Sequence, residues 1–172
     1  TLRLAKVAKE FGSEVAGAIM FTLSPVHTDE YYADKADKLS ESDDIDTILL
    51  YDTAGVLEKE RLVTLLPAIK SKSHGKPIEF HSNNLLGQSA KAYLDAIDLG
   101  VSILHTAVRP MANGPSVPSV EIMARNVELL GHTHNLDSTL FPPVAEHFEK
   151  VGKAAGFLVN QSAEYDVLSI RH

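Results

Sequence analysis

The sequence contains no cysteine. Disulfides, thiolate nucleophiles and Cys-ligated zinc or iron–sulfur sites are therefore excluded. No apolar run approaches the roughly 20 residues that a membrane-spanning helix needs. Basic residues are also few, since 16 Lys and Arg stand against 23 Asp and Glu and give a net charge of −7. Nucleic acids and anionic membrane surfaces bind clustered basic side chains, so we expect neither as a partner.

The length and the apolar content favour a single domain. A chain of 172 residues, of which 44% are hydrophobic, can bury one sizeable core. A sequence without cysteine is compatible with any compartment, so a cytoplasmic location is only the default expectation.

Short apolar runs alternate with amphipathic stretches along the sequence. A helical stripe of Leu4, Val7, Ala8 and Phe11 comes first and ends at Gly12, and we expect this stripe to be buried. The pattern then predicts strands at 16–21, 46–51, 77–80 and 101–105, and helices at 29–39, 58–70, 89–99, 120–130 and 143–155. Such alternation indicates parallel βα units.

The spacing of these units leaves two architectures open. Each unit takes roughly 25–30 residues, as in a (β/α)8 barrel, whose eight units occupy about 250 residues. The four predicted strands are either a small open α/β sheet or half of a barrel. A half-barrel would leave inward-facing residues, among which we count Ile48, Leu50 and Ile103, open to solvent on one side.

Polar side chains stand where the predicted strands end. Asp52 follows the second strand, His81 and Asn83 end the third, and Thr106 follows the fourth. In parallel sheets the chemistry gathers at the carboxyl ends of the strands. Because His81 and Asn83 are two residues apart on one strand, both side chains are expected on the same face.

Two other features of the sequence are candidates for binding a metal or a substrate. His132 and His134 share the two-residue spacing, but they follow Gly131 in a polar segment after a helix, and we expect no metal there. Arg109, in the loop after the fourth strand, could bind a substrate carboxylate through two parallel hydrogen bonds or could be an ordinary surface charge.

The strand-end motifs occur in the order and spacing of a known family. The motifs are Ser24-Pro25-Val26-His27-Thr28, Tyr51-Asp52-Thr53-Ala54-Gly55, Phe80-His81-Ser82-Asn83 with Gly87, and His105-Thr106-Ala107 followed by Pro110-Met111-Ala112-Asn113-Gly114. Together they resemble the second half of the carboxyltransferase domain of pyruvate carboxylase, transcarboxylase 5S and oxaloacetate decarboxylase alpha. That domain is a TIM barrel of the metal-dependent superfamily that includes HMG-CoA lyase.

The resemblance implies a division of the chain. Residues 1–135 would supply the last four βα units of a (β/α)8 TIM barrel, and residues 136–172 the start of a C-terminal helical extension. The remaining half of the barrel would be a partner of this segment, on the same or on another polypeptide, within an oligomer.

The resemblance also implies site residues and cofactors. His81 and Asn83 would hold a divalent metal ion (Mn, Mg, Zn or Co), and Asp52 and Thr106 would be catalytic. The substrate would be a small 2-oxo acid of the oxaloacetate or pyruvate type, with Arg109 as the candidate for its carboxylate. Biotin would arrive on a carrier domain of a partner.

Three positions depart from the family pattern. Asn83 stands where the family has a second metal-binding histidine, Tyr51 stands where the carboxyltransferases have a carbamylated lysine, and Pro115 or Ser116 stands where they have a proton-shuttling threonine. An amide oxygen can bind a hard cation but is a poorer partner for zinc than imidazole. The motif Tyr51-Asp52-Thr53 is closer to the lyase branch.

Three functions remain open on the sequence alone. The first is carboxyl transfer or decarboxylation of a 2-oxo acid, with a metal that polarises the keto group and stabilises the enolate. The second is an acyl-CoA lyase or aldolase of the HMG-CoA lyase type. The third is a degenerate barrel subunit without chemistry, since two metal ligands of the family are replaced.

Overall fold

A computed structural model describes residues 2–157 and 164–170. The elements are α1 (Leu2–Glu10), β1 (Ala16–Met20), α2 (Asp29–Ser40), β2 (Thr47–Asp52), α3 (Lys59–Ser71), β3 (Ile78–Ser82), α4 (Ser89–Asp98), β4 (Ile103–Leu104), α5 (Val120–Leu129), a 3₁₀ turn (Ser138–Leu140), α6 (Phe141–Ala154) and α7 (Val167–Ile170). The predicted alternation of strands and helices is confirmed. The fourth strand is shorter than expected, and α7 was not predicted.

The four strands form one parallel sheet in the order β1-β2-β3-β4. Helix α2 packs against α3, α3 against α4, and α4 against α5. An open doubly wound sheet reverses its strand order at a switch point and carries helices on both faces, whereas a barrel keeps sequential order with the helices outside. The sequential order and the single layer of helices therefore match part of a barrel.

Strand alternation divides the sheet into two unlike faces. Ile48, Leu50 and Phe80 are fully buried against the helices. On the opposite face, which would line a barrel interior, Met20 is 52% exposed and Ile103 is 38% exposed. The expectation that Ile48 and Leu50 face the barrel interior was wrong. In β2 the even-numbered residues are buried under the helices, and the odd-numbered residues lie on the opposite face.

The first helix does not bury its predicted stripe. Ala5 is buried, but Leu4 is 74% exposed and Phe11 is 84% exposed. Helix α1 precedes β1, an edge strand of the sheet, and Leu2 lines a cavity together with Ile19 and Met20 of that strand. Among the described elements nothing covers the outer side of this edge, so the apolar face of α1 has nothing to pack against.

The C-terminal part begins with a well-defined helix. Asp137 caps the 3₁₀ turn by accepting a hydrogen bond from Thr139 N, and Pro142 and Pro143 are the second and third residues of α6, in the first turn, where backbone N–H groups have no partner within the helix. The boundary between 135 and 136 stays a prediction, and part of the proposed extension, 158–163 and 171–172, lies outside the described residues. Among the helices that the structure describes, none is long and apolar enough to cross a bilayer.

We predict that residues 1–172 do not form a stable monomer by themselves. The interior face of the sheet and the apolar side of α1 leave large hydrophobic side chains in water, which favours association. Light scattering after size-exclusion chromatography, together with thermal melting, tests this. A monodisperse monomer that melts cooperatively would contradict the prediction.

Candidate active site at the carboxyl edge of the sheet

His81 and Asn83 lie side by side at the carboxyl end of β3. His81 Nε2 is 2.9 Å from Asn83 Oδ1. The amide nitrogen of Asn83 donates to the carbonyl oxygen of Thr53 at 3.0 Å, which fixes the amide so that its oxygen faces the imidazole. The structure thus brings the two proposed metal ligands together on the interior face of the sheet.

A chain of polar contacts continues from His81 to the neighbouring strands. His81 Nδ1 is 3.1 Å from His105 Nδ1, and His105 Nε2 is 2.8 Å from Glu79 Oε2. The hydroxyl of Thr47 donates to the other oxygen of Glu79. We call these five residues, Thr47, Glu79, His81, Asn83 and His105, the His81 network. Sequence reasoning missed Glu79, although its spacing of two residues from His81 would have placed both on one face.

The hydrogen atoms on the ring nitrogens of His81 and His105 limit how many contacts of the His81 network can be hydrogen bonds. The contacts Asn83–His81, His81–His105 and His105–Glu79 each need one hydrogen atom, whereas two neutral imidazoles and a carboxylate carry only two. With both rings neutral, two of the three contacts are hydrogen bonds.

The environment of His81 favours its neutral form. Burial lowers the pKa of His81 below its usual value; the hydrogen bond that His81 donates to Asn83 Oδ1 opposes this shift, and the proximity of His105 adds to it. Neutral imidazole is the form that binds metal ions. The ring of Tyr51 packs edge-on against His81 with 4.4 Å between centroids.

The spacing of His81 Nε2 and Asn83 Oδ1, which is that of a hydrogen bond, is also the spacing of two ligands of one divalent cation. Two ligands about 2.1 Å from a common ion and at right angles to each other lie about 3 Å apart, close to the observed spacing of His81 Nε2 and Asn83 Oδ1. A cation there takes four to six ligands. Within the described part of the chain no group of three or more His, Cys, Asp or Glu residues could hold a metal, so water, substrate or another part of the protein would complete the shell.

Asp52 points away from the His81 network, towards the helices. Its side chain is fully buried and accepts hydrogen bonds from Gly55 N at 3.0 Å, Leu57 N at 2.9 Å and Ser82 Oγ at 3.0 Å. A carboxylate enclosed in this way orders the loop after β2. The geometry thus gives Asp52 a positioning role and offers no support for the expected catalytic one.

Thr106 also lies away from His81. It lines a cavity of about 570 Å³ between β4 and α5, together with Leu104, Met123, His132 and His134. The expected contact of Thr106 with substrate beside His81 gains no support from this position.

The two histidines of the 132–134 segment do not converge on one point. His132 Nε2 is 3.6 Å from Asp98 Oδ1, whereas His134 Nε2 is 3.2 Å from Glu128 Oε1. Each ring is directed to a different carboxylate. That the pair is not a metal site stays a prediction.

Arg109 binds a carboxylate of its own chain. Its guanidinium pairs with Glu164, which also accepts from Asn113 Nδ2 at 2.9 Å. Burial opposes ionisation of Glu164, but hydrogen bonds from Arg109, Ser119 and Asn113 outweigh it and place the pKa of Glu164 below its usual value. Arg109 therefore anchors the C-terminal segment, and the predicted substrate contact would require it to release Glu164.

The loop that contains Pro115 is held at the same edge of the sheet. Asn84 N donates to Ser116 O at 2.7 Å, and Asn84 Nδ2 donates to Asn113 Oδ1 at 2.8 Å. Since Asn84 follows the metal-ligand candidate Asn83, the loop is tied to the strand end that carries the site.

Comparison with known proteins shows which proteins this chain is related to. The chain is 34% identical to a pyruvate carboxylase subunit of Methanocaldococcus jannaschii over 146 residues, which is 85% of the chain and 25% of the relative. It is 32% identical to the 5S subunit of methylmalonyl-CoA carboxyltransferase of Propionibacterium freudenreichii, over 83% of the chain and 28% of the relative. The chain is a homologue of part of the pyruvate carboxylase-type carboxyltransferases. It spans about a quarter of the length of these relatives.

Solved structures agree on the fold of this carboxyltransferase segment. The carboxyl transferase domain of Rhizobium etli pyruvate carboxylase (variant Y628A, with pyruvate) superimposes with a TM-score of 0.80 at 21% identity, over 95% of the chain and 29% of that domain. The expected partial TIM barrel is thereby confirmed. Bacterial 4-hydroxy-2-oxovalerate aldolases are more distant relatives. No protein-family model matches the chain.

We predict that Gly55→Ala destabilises the protein far more than Gly87→Ala. Both glycines have positive φ, 66° and 74°, so alanine costs about 1–2 kcal/mol of backbone strain at either position. At Gly55 a Cβ would also collide with the carbonyl oxygen of Asn83, whereas at Gly87 nothing lies within 4 Å. Chemical denaturation of the full-length protein measures the loss of unfolding free energy in each variant. Equal losses would show that the Gly55 loop is not packed against Asn83.

Proposed function

We propose that the chain forms half of the active site of a biotin-dependent carboxyltransferase that moves a carboxyl group to or from a 2-oxo acid. The observation that carries the proposal is the His81–Asn83 pair, whose atoms lie at the spacing of two ligands of one cation at a strand end of the homologous barrel. The relatives' names mention pyruvate and methylmalonyl-CoA, and the family relationship supports a small keto acid as one substrate.

The described residues would divide the work as follows. His81 and Asn83 hold the divalent cation, which when bound acts as a Lewis acid on the keto oxygen of the substrate. Asn83 presents an oxygen ligand, so the pair suits a hard ion such as Mg²⁺ or Mn²⁺ better than zinc. Asp52 orders the loop that carries Thr53, and the carbonyl of Thr53 in turn orients the amide of Asn83.

The partners follow from the same proposal. The remaining half of the barrel would cover the interior face and the free edges of β1 and β4, and a carrier domain would bring biotin to the carboxyl edge. The carboxylate of the substrate would be bound by groups outside this chain, because Arg109 already pairs with Glu164.

A barrel subunit without chemistry is the second candidate, favoured by one observation. The Tyr51 ring packs against His81 at the position where the resemblance implies a charged metal ligand. The second candidate therefore expects no metal in the assembled protein.

We predict that His81→Ala lowers the metal content of the full-length protein far more than His134→Ala does. His81 lies beside a second metal-binding atom, Asn83 Oδ1, whereas the two ring nitrogens of His134 contact the Glu128 carboxylate and the backbone N–H of Leu136. Elemental analysis after dialysis against Mn²⁺ measures the difference. Equal losses in both variants, or no metal in the parent, would remove the metal-centre interpretation and favour the second candidate.

We also predict that the double variant Tyr51→Lys, Asn83→His binds the metal more tightly than the parent. The changes restore two ligands of the family on adjacent strands, and their combined gain should exceed the sum of the single gains because ligands of one ion act as a unit. Titration with Zn²⁺ and Mn²⁺ gives the dissociation constants. A parent that already binds Zn²⁺ tightly, with no gain in the double variant, would show that these positions are not lost ligands.

A further inference from the structure

Glu79 is a carboxylate in a place where neighbouring strands carry apolar side chains. The register aligns it with Leu49 of β2 and Ile103 of β4, and Leu49 is aligned in turn with Ala18 of β1. Its side chain is only 14% exposed. Taking a charge out of water is unfavourable unless partners compensate for the lost hydration. A carboxylate at this position therefore needs a structural or functional reason.

Glu79 is connected to His81 through His105. One carboxylate oxygen accepts from Thr47 Oγ1, and the other contacts His105 Nε2 at 2.8 Å. His105 turns its second ring nitrogen to His81 at 3.1 Å. With one ring nitrogen facing His105, the remaining nitrogen of His81 lies beside Asn83 at 2.9 Å.

We propose that Glu79 and His105 are positioning residues that hold the His81 ring with Nε2 at the carboxyl edge of the sheet. The carboxylate fixes the His105 ring, and His105 fixes the His81 ring through Nδ1. This inference rests on the proposed function only in taking His81 Nε2 as the atom that binds the cation. Histidine ligands commonly bond a carboxylate, carbonyl or water through the nitrogen that does not bind the metal, and this contact sets the ring orientation.

The backbone of His105 is held independently of its side chain. Tyr93 Oη donates to His105 O at 2.8 Å and accepts from Ser82 N at 2.9 Å, so it joins the ends of β3 and β4. Changes to the side chains of Glu79 and His105 should therefore alter the orientation of His81 without displacing the strand that carries it.

The test compares Glu79→Ala, Glu79→Gln and His105→Gln with the control Glu128→Gln in the full-length protein. Glu128 is also a carboxylate next to a histidine, but it lies on α5 and faces His134 instead of the His81 network. Two quantities are measured for each protein: the Mn²⁺ dissociation constant, and the ¹⁵N signals of labelled histidines, which report which ring nitrogen carries hydrogen. Thermal melting shows whether each variant is folded.

We expect Glu79→Ala to weaken Mn²⁺ binding about 10–100-fold and to change the His81 signals, because outer-shell partners typically contribute that much. Glu79→Gln keeps the shape and should lie in between, and Glu128→Gln should match the parent. Unchanged Mn²⁺ affinity and unchanged His81 signals in folded Glu79 and His105 variants would overturn the inference.

Failure of the proposed function would be seen separately. If the parent binds no Mn²⁺, the metal site is absent, and the ¹⁵N signals alone decide the positioning role. A single His81 tautomer in the parent that becomes a mixture in Glu79→Gln would support it, and an identical spectrum would overturn it. If Glu79→Ala does not fold, the two glutamine variants carry the same comparison.

Discussion

The buried carboxylate of Asp52 is the interaction on which the carboxyl edge depends. It joins three pieces of chain: the end of β2, the loop that follows it, and the end of β3 through Ser82. A carboxylate with three donors is well compensated for its burial, whereas removing it would leave two backbone N–H groups without a partner at about 1–3 kcal/mol each. The order of the loop at Gly55 follows from this one side chain.

The ordered loop after β2 positions the candidate site through two successive hydrogen-bonding contacts. The ordered loop presents the Thr53 carbonyl to Asn83, and Asn83 presents its oxygen to His81. From the other side, Glu79 and His105 hold the second nitrogen of the same ring. The imidazole is therefore held at both nitrogens by groups from different strands, which is the kind of support that precise sites require.

The same geometry explains why the segment is only part of a working unit. The helix face of the sheet is closed and fully apolar at Ile48, Leu50 and Phe80, while the interior face carries both the polar network and exposed residues such as Met20 and Ile103. The polar network runs from Thr47 at the start of β2 to Asn83 just past the end of β3, whereas Met20 and Ile103 lie on the two edge strands. A closed barrel buries the apolar part and leaves the polar end as the floor of a site.

The sequence by itself determined the βα alternation, the parallel sheet and the strand ends at which polar residues collect, because these depend on local periodicity and turn residues. It also brought out His81 and Asn83, since a spacing of two on one strand forces a common face. The strand register decided the rest. It turned Ile48, Leu50 and Asp52 to the helix side, and only packing across strands could place Glu79 next to His105, 26 residues away. The partner of Arg109 lies 55 residues away, and a contact of that separation leaves no periodic signal in the chain.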